Sequence, residues 1–246
     1  MFIPESFGDA SSKNISEAIT TQTDLYVDDL FCLTESENVK KLVFGFNRFF
    51  CDVERYWEDE NEPMSSIGQG VYYQKFLDGS QIKRIDKKND IKQIYDGHHE
   101  QLKAISENLV LTYGNCLIVD CHSFNNSENT PDICIGLNNN DTDIDDENLN
   151  LLINYFENNG YSVEINNPYS GSIYPKCYKN EKLKTVMVEI NKRCYLNPDF
   201  TKNFEKYKKL KTTLKNFKNE LWWINPNLFL KMCKNNFTFF CYFSNY

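Results

Sequence analysis

Residues 116–123 read CLIVDCHS, and this stretch decides the fold. Four apolar residues run straight into Asp120 and His122, a pattern typical of a buried strand that ends where open α/β sheets place their sites. The other predicted strands are residues 39–46, 132–137, 161–165 and 185–190, with a hairpin at 70–85. The predicted helices are residues 24–32, 90–109, 145–159 and 204–221, and residues 1–20 and 56–70 are predicted loops. Strands alternating with helices indicate a three-layer α/β fold, with a mixed, mostly parallel sheet between helices.

Length and patterning predict one domain over residues 1–225 and an aromatic-rich tail over residues 226–246. The tail lacks a clear period, so it is either an extra strand or a segment outside the ancestral domain.

Composition excludes several classes of protein. The net charge of −8 argues against a nucleic-acid binder, and no apolar run approaches the roughly 20 residues that a membrane helix needs. The nine cysteines form no CxxC pair, and the start of the chain does not look like a signal peptide. Together these features predict reduced thiols and a cytoplasmic location. The oligomeric state is left open.

Two residues at strand ends could carry chemistry. His122 follows a buried strand directly, so it is either a metal ligand or a core histidine with its hydrogen bonds satisfied. Glu189 lies inside the apolar run 186–190, where a carboxylate is costly unless it is paired or belongs to a site. It is therefore either a general base or one member of an alternating, half-exposed strand.

Arginine is scarce, with four residues among 27 basic ones. Arg48 and Arg55 lie seven residues apart in a chain that otherwise uses lysine. Because the planar guanidinium holds a carboxylate with two parallel hydrogen bonds, this pair could bind an acidic substrate. The alternative is that each arginine forms an ion pair with a nearby acid such as Asp52 or Glu54.

Over roughly residues 20–196 the chain resembles the N-formylglutamate amidohydrolase family. The matching segments, in the family's order, are residues 23–31 (TDLYVDDLF), 47–55 (NRFFCDVER), 70–72 (GVY), 95–102 (YDGHHEQL), 119–124 (VDCHSF), 131–136 (PDICIG), 166–171 (NNPYSG) and 189–195 (EINKRCY). Any one segment is a weak signal, whereas the ordered set is specific. The resemblance implies a fold like that of zinc carboxypeptidases and aspartoacylases. It also implies a zinc ion held by histidines and a carboxylate.

The resemblance further implies roles for single residues in the zinc site. His122 would be a zinc ligand and Asp24 the carboxylate ligand, with Asp28 as second choice for that role. Glu189 would be the base that takes the proton from the zinc-bound water.

It also implies which residues bind the substrate. Arg48 would be the catalytic cation and would clamp the substrate's carboxylates together with Arg55. Asn166, Tyr169 and His99 would line the substrate pocket.

Two departures from the family pattern affect this expectation. The family opens with a strand that ends in a Pro-His-Ser type motif, whose histidine is another zinc ligand. The chain is expected to begin after that motif and so to lack one strand and one ligand. In addition, Lys192 stands where the family has an arginine.

Three functions are compatible with these features. The leading prediction is zinc-dependent hydrolysis of a small N-acyl acidic amino acid, most of all N-formyl-L-glutamate. A truncated or inactive homologue would bind an acidic ligand without turnover. An amidohydrolase or peptidase of the same fold would act on another substrate.

Overall fold

The computed structural model describes residues 13–31, 35–125, 127, 129–175, 178, 180–223 and 239–243. These residues group into two compact units. The first holds residues 13–25 and Val43–Leu102, and the second holds the described residues of Tyr26–Leu42 and Lys103–Phe243.

One six-stranded sheet organises the second unit. Its strands are β1 (Val39–Val43), β2 (Cys116–Phe124), β3 (Ile133–Gly136), β4 (Val163–Ile165), β5 (Leu183–Asn191) and β6 (Phe239–Phe243). The order across the sheet is β1-β6-β2-β5-β3-β4. β2 pairs in parallel with β5 and β6, β3 pairs in parallel with β4, and β3 runs antiparallel to β5. The sheet is therefore mixed and mostly parallel, as predicted.

The apolar runs of the sequence account for the centre of this sheet. β2 and β5 are buried along nearly their whole length. Strands covered on both faces read as continuous apolar runs rather than as alternating ones. The buried polar exceptions in these two strands are Asp120, His122, Thr185, Glu189 and Asn191.

Three long helices complete the main elements: α3 (Lys92–Tyr113), α4 (Asp146–Asn158) and α5 (Phe204–Trp223). Asp145 caps α4 by accepting a hydrogen bond from the backbone N–H of Asn148 at 2.8 Å. Gly160, just beyond α4, has φ +83°, the left-handed conformation that favours glycine after a helix. α4 packs on α5 through the stacked rings of Phe156 and Phe217, 5.7 Å apart. Among the described helices none is both long and apolar enough to cross a membrane.

The first unit has its own core of twelve buried residues. They are Ala18, Phe44, Phe49, Phe50, Cys51, Val53, Val71, Tyr73, Phe76, Ile82, Ile91 and Tyr95. Ala18 belongs to α1 (Lys13–Gln22), so the prediction of a loop over residues 1–20 is wrong for residues 13–20. Among the small polar residues of this segment, Ala18 and Ile19 form a short apolar stripe on the helix, and Ile19 packs against the core beside Ala18.

Two further predictions need correction. The helix predicted over residues 24–32 is a single turn, α2 (Val27–Leu30). Tyr26 has φ +63°, a left-handed conformation that an α-helix does not accommodate, so the helix begins only after it. Position 32 lies outside the described residues. The hairpin over residues 70–85 is reduced to a turn with one bridge, between Lys75 and Gln81. Beyond it Arg84 turns away to bind Asp86 at 2.6 Å and the carbonyl of Phe50 at 2.8 Å.

The aromatic tail supplies β6, which is inserted between β1 and β2. Leu117 to Asp120 of β2 pair in parallel with residues 239–242. Residues 239–243 of the tail therefore form an extra strand, which is one of the two alternatives predicted for it. The domain boundary at residue 225 stays a prediction.

Candidate active site

A buried carboxylate and imidazole lie side by side on β2. Asp120 and His122 are two residues apart, so both side chains project from the same face of the strand. Nε2 of His122 lies 2.7 Å from Oδ1 of Asp120. Oδ2 of Asp120 accepts a hydrogen bond from the backbone N–H of Ile173 at 2.8 Å. Asp120 therefore fixes the orientation of the ring, as a carboxylate partner does for a metal-binding histidine.

Glu189 lies next to His122 on the neighbouring strand. The parallel register of β2 and β5 pairs His122 with Glu189 directly. Paired residues on adjacent strands present their side chains on the same face of the sheet. Glu189 is 8% exposed, so its carboxylate is held in a largely buried position. The structure thus brings together the two residues that the sequence singles out at strand ends.

The loop of residues 166–171 is attached to β3 and to the segment that follows it. Asn166 has φ +54°, and its Oδ1 accepts a hydrogen bond from the N–H of Leu137 at 2.7 Å. Gly171 donates to the carbonyl of Leu137 at 3.0 Å. Tyr169 remains half-exposed, and its ring meets Phe124 of β2 edge to face at 6.0 Å. The substrate-binding roles predicted for Asn166 and Tyr169 stay predictions.

In the first unit Arg48 and Arg55 share one buried carboxylate. Oδ2 of Asp52 lies 3.1 Å from Arg48 and 3.5 Å from Arg55, and Asp52 is fully buried. Arg55 also lies 3.8 Å from Glu62. The ion pairs expected as an alternative are present, with Asp52 as the common partner. The two arginine side chains are nevertheless 18% and 28% exposed, so each keeps a surface that an anion could reach.

His99 lies on α3, in the part that belongs to the first unit. Its ring is 4.5 Å from that of Tyr95, whose hydroxyl donates to the carbonyl of Arg55 at 2.7 Å. Burial lowers the pKa of His99, and Glu54 acts in the opposite direction. The neutral imidazole is therefore favoured.

Lys192, which departs from the family pattern, is buried just beyond β5. Its Nζ donates to Oδ1 of Asn125 at 3.0 Å, and its side chain is 5% exposed. A lysine offers a point charge where an arginine offers a planar fork, so this position cannot bind a carboxylate in the planar bidentate manner of an arginine.

Asp120 and His122 of β2 are among the described side chains that could each offer a ligand atom to a metal ion. Asp24, the predicted carboxylate ligand, is buried in the first unit and is not among these candidates. Its role stays a prediction.

Sequence reasoning missed the part played by Asp120. Asp120 carries a usable signal, since a carboxylate two residues before a histidine in a strand shares its face. Asp52 and Glu54 stand between the two arginines in the segment RFFCDVER and are both possible ion-pair partners from the sequence. The structure shows that Asp52 pairs with both arginines.

The sequence profile of the N-formylglutamate amidohydrolases matches residues 1–196. No curated protein matches the chain. The expected loss of the opening zinc-ligand motif concerns the first residues, which lie outside the described part of the chain.

Two solved structures resemble this one. An N-formylglutamate amidohydrolase from Ralstonia eutropha JMP134 is 17% identical, with a TM-score of 0.50, over 64% of this chain and 63% of that chain. The chain thus spans less than two thirds of that protein. Gene product Atu2144 from Agrobacterium tumefaciens is 17% identical, with a TM-score of 0.57, over 91% of this chain and 87% of that chain. At such identities the likeness concerns the fold, a mostly parallel sheet flanked by helices.

Proposed function

Because the chain belongs to the N-formylglutamate amidohydrolase family, we propose that it hydrolyses the amide bond of an N-acyl acidic amino acid. The foremost substrate is N-formyl-L-glutamate, which would yield formate and glutamate. The observation that carries the proposal is the pairing of His122 with Glu189 on adjacent strands. An imidazole and a buried carboxylate on one face supply a ligand and a base for hydrolysis.

The donor set suits zinc. Imidazole nitrogen and carboxylate oxygen are ligands that zinc accepts, and the carboxylate of Asp120 orients His122 in the manner usual for a metal-binding histidine. His122 would hold the ion, with Asp24 as the carboxylate ligand and Asp28 as the second choice for that role. When bound, zinc would act as a Lewis acid that increases the acidity of water and polarises the amide carbonyl.

Glu189 is proposed as the base. Its carboxylate would accept the proton of the attacking water and deliver it to the leaving amine nitrogen, so that no net proton is gained or lost at the residue. The largely buried carboxylate lies next to His122 on the neighbouring strand, a position suited to this exchange.

Arg48 and Arg55 are proposed to bind the substrate's carboxylates. Asp52 holds both guanidinium groups in place while leaving part of each exposed. Although Asp52 and Glu62 pair with these cations, the exposed part of each guanidinium can still donate hydrogen bonds to a substrate carboxylate. Arg48 would also stabilise the oxyanion of the tetrahedral intermediate. Asn166, Tyr169 and His99 are proposed to line the pocket.

The experiment is an assay of formate release by the full chain in three states: as purified, after chelation, and after re-addition of zinc. N-formyl-L-glutamate is the test substrate, and N-formyl-L-leucine is the control that lacks the side-chain carboxylate. We expect formate from the first substrate only, activity lost on chelation, and activity regained with zinc. Binding of N-formyl-L-glutamate without formate release would instead indicate a homologue without turnover. Cleavage of both substrates at equal rates would contradict the acidic specificity.

A further inference from the structure

His122 and Glu189 are paired across adjacent strands, and a third residue continues this row of paired residues across the sheet. β5 lies between β2 and β3 in the sheet. Its residue Glu189 is paired with His122 on one side and with Cys134 of β3 on the other. Because paired residues share a face, the thiol of Cys134 stands on the same side as the imidazole and the carboxylate. Cys134 is fully buried.

Tyr169 crosses the middle strand of this row. Its carbonyl accepts a hydrogen bond from Sγ of Cys134 at 3.2 Å, on β3. Its ring contacts Phe124 on β2, which projects from the same face as His122. The backbone of Tyr169 therefore contacts one neighbour of β5, and its ring contacts a side chain of the other. These contacts bring Tyr169 to the two strands that flank β5, the strand that bears Glu189.

The thiol is suited to be a permanent donor. Burial raises the pKa of Cys134, and the nearby charge of Glu189 raises it further, while the hydrogen bond to Tyr169 acts in the opposite direction. The sulfur therefore keeps its proton at neutral pH. Its S–H can therefore donate to the carbonyl of Tyr169 at neutral pH.

Close packing around Gly136 restrains the same loop. A Cβ atom at Gly136 would lie 2.5 Å from the carbonyl oxygen of Gly171 and 2.3 Å from Cε of Met187. Gly171, at the end of the loop, thus packs closely against the backbone of Gly136 in β3, where there is no room for a side chain. The thiol of Cys134 fixes the middle of the loop, and Gly136 leaves room for its end.

We propose that Cys134 is a positioning residue whose thiol holds the backbone of Tyr169, so that Tyr169 forms a wall of the substrate pocket beside Glu189. This inference rests on the proposed function, in which Tyr169 contacts the substrate. Cys134 itself touches neither substrate nor metal. Its effect is transmitted through the loop of residues 166–171.

The test compares Cys134→Ala, which removes the donor, with Cys134→Ser, which retains one. Cys116→Ala is the matched control, since Cys116 is also buried in a strand of the sheet but lies at the opposite end of β2 from the site. Two quantities are measured on each full-length variant. One is the hydrogen exchange of the peptide that covers residues 166–171, followed by mass spectrometry. The other is the separate kcat and KM for N-formyl-L-glutamate.

We expect faster exchange of the loop in Cys134→Ala than in the wild type or in Cys116→Ala. KM should rise by about threefold or more while kcat changes little, since one modest hydrogen bond is lost and the base is retained. Cys134→Ser should restore most of both values.

Unchanged exchange in Cys134→Ala overturns the proposal, as does faster exchange without a change in KM. If the wild type releases no formate, the proposed function fails. In that event a normal exchange pattern in Cys134→Ala still overturns the inference, and faster exchange that Cys134→Ser reverses supports the anchoring of the loop.

Discussion

His122 and Asp120 form a buried pair in which Nε2 and Oδ1 are 2.7 Å apart. The second oxygen of Asp120 is engaged by the N–H of Ile173 at 2.8 Å. One carboxylate therefore connects the predicted zinc ligand on β2 with the segment that follows the loop of residues 166–171. Because both oxygens of Asp120 have a partner, a change at either oxygen should disturb the orientation of His122.

Replacing Asp120 by asparagine should weaken zinc binding. The amide replaces one of the two carboxylate oxygens by an NH2 group, so the contacts with His122 and with the N–H of Ile173 cannot both be kept, and the ring loses its fixed orientation. We expect the zinc affinity to fall by about 10- to 100-fold, the range typical of lost carboxylate–histidine partners. The measurement is a competition titration against a chromogenic chelator. Asp141→Asn, which alters an exposed carboxylate, is the control, and an equal loss of affinity in both variants would contradict the account.

Replacing Arg55 by lysine should weaken the binding of an acidic substrate. Lysine cannot reproduce the planar fork, and the charge beside Asp52 would be displaced. We expect KM for N-formyl-L-glutamate to rise by about tenfold, as for the loss of one charge-assisted hydrogen bond. Lys208→Ala on the exposed face of α5 should leave KM unchanged. Equal KM values in the wild type and in Arg55→Lys would assign the arginine to a purely structural ion pair.

His98 should make the first unit sensitive to mild acid. Burial, with a contribution from His99, lowers the pKa of His98 from 6.5 to about 3, although Glu54 acts in the opposite direction. Below pH 6.5 the unfolded chain binds a proton that the folded chain does not, so stability is full above this pH and is lost as the pH falls towards 3. We expect a loss of about 1–2 kcal/mol between pH 6.5 and pH 5 from this residue.

The measurement for His98 is the unfolding free energy as a function of pH. His98→Phe should show a shallower fall between pH 6.5 and pH 5, since a phenyl ring can keep the edge-on contact with Phe44, now at 5.0 Å. Glu100→Gln on the exposed side of α3 should keep the wild-type slope. A slope unchanged in His98→Phe would show that His98 takes up no proton on unfolding.

Tyr207 should stabilise the second unit through its hydroxyl. It donates to Oδ2 of Asp29 at 2.5 Å, while Lys211 binds the other oxygen at 2.6 Å. The hydrogen bonds from Lys211 and Tyr207 lower the pKa of Asp29. Tyr207→Phe should cost about 1 kcal/mol in urea unfolding, because a charge-assisted hydrogen bond is lost and the ring packing is kept. Lys211→Met, which removes a partly exposed ion pair, should cost less. The reverse order would contradict this assignment.

The sequence predicted the centre of the sheet and its two polar residues because these depend on local pattern. Buried parallel strands appear in a sequence as apolar runs. Glu189 interrupts such a run, and His122 follows the end of one. α1 was missed because its apolar stripe is short, and α2 was overextended because the left-handed conformation of Tyr26 has no local signal. The hydrogen bond from Cys134 to Tyr169 joins residues 35 positions apart and depends on a tertiary contact. The sharing of Asp52 by two arginines is local in sequence, but it depends on how the irregular segment between them folds. The hydrophobic periodicity of the sequence does not predict ion pairs or hydrogen bonds of this kind.

Formate release by Glu189→Gln, beside the wild type, tests the central claim most directly. Glutamine is nearly isosteric and is expected to leave the sheet and the zinc content unchanged, but it cannot take a proton. We predict that kcat for N-formyl-L-glutamate falls by about 10²- to 10⁴-fold, as for the loss of a general base, while the zinc-to-protein ratio stays at the wild-type value. Turnover in Glu189→Gln within twofold of the wild type, at equal zinc content, would contradict the account.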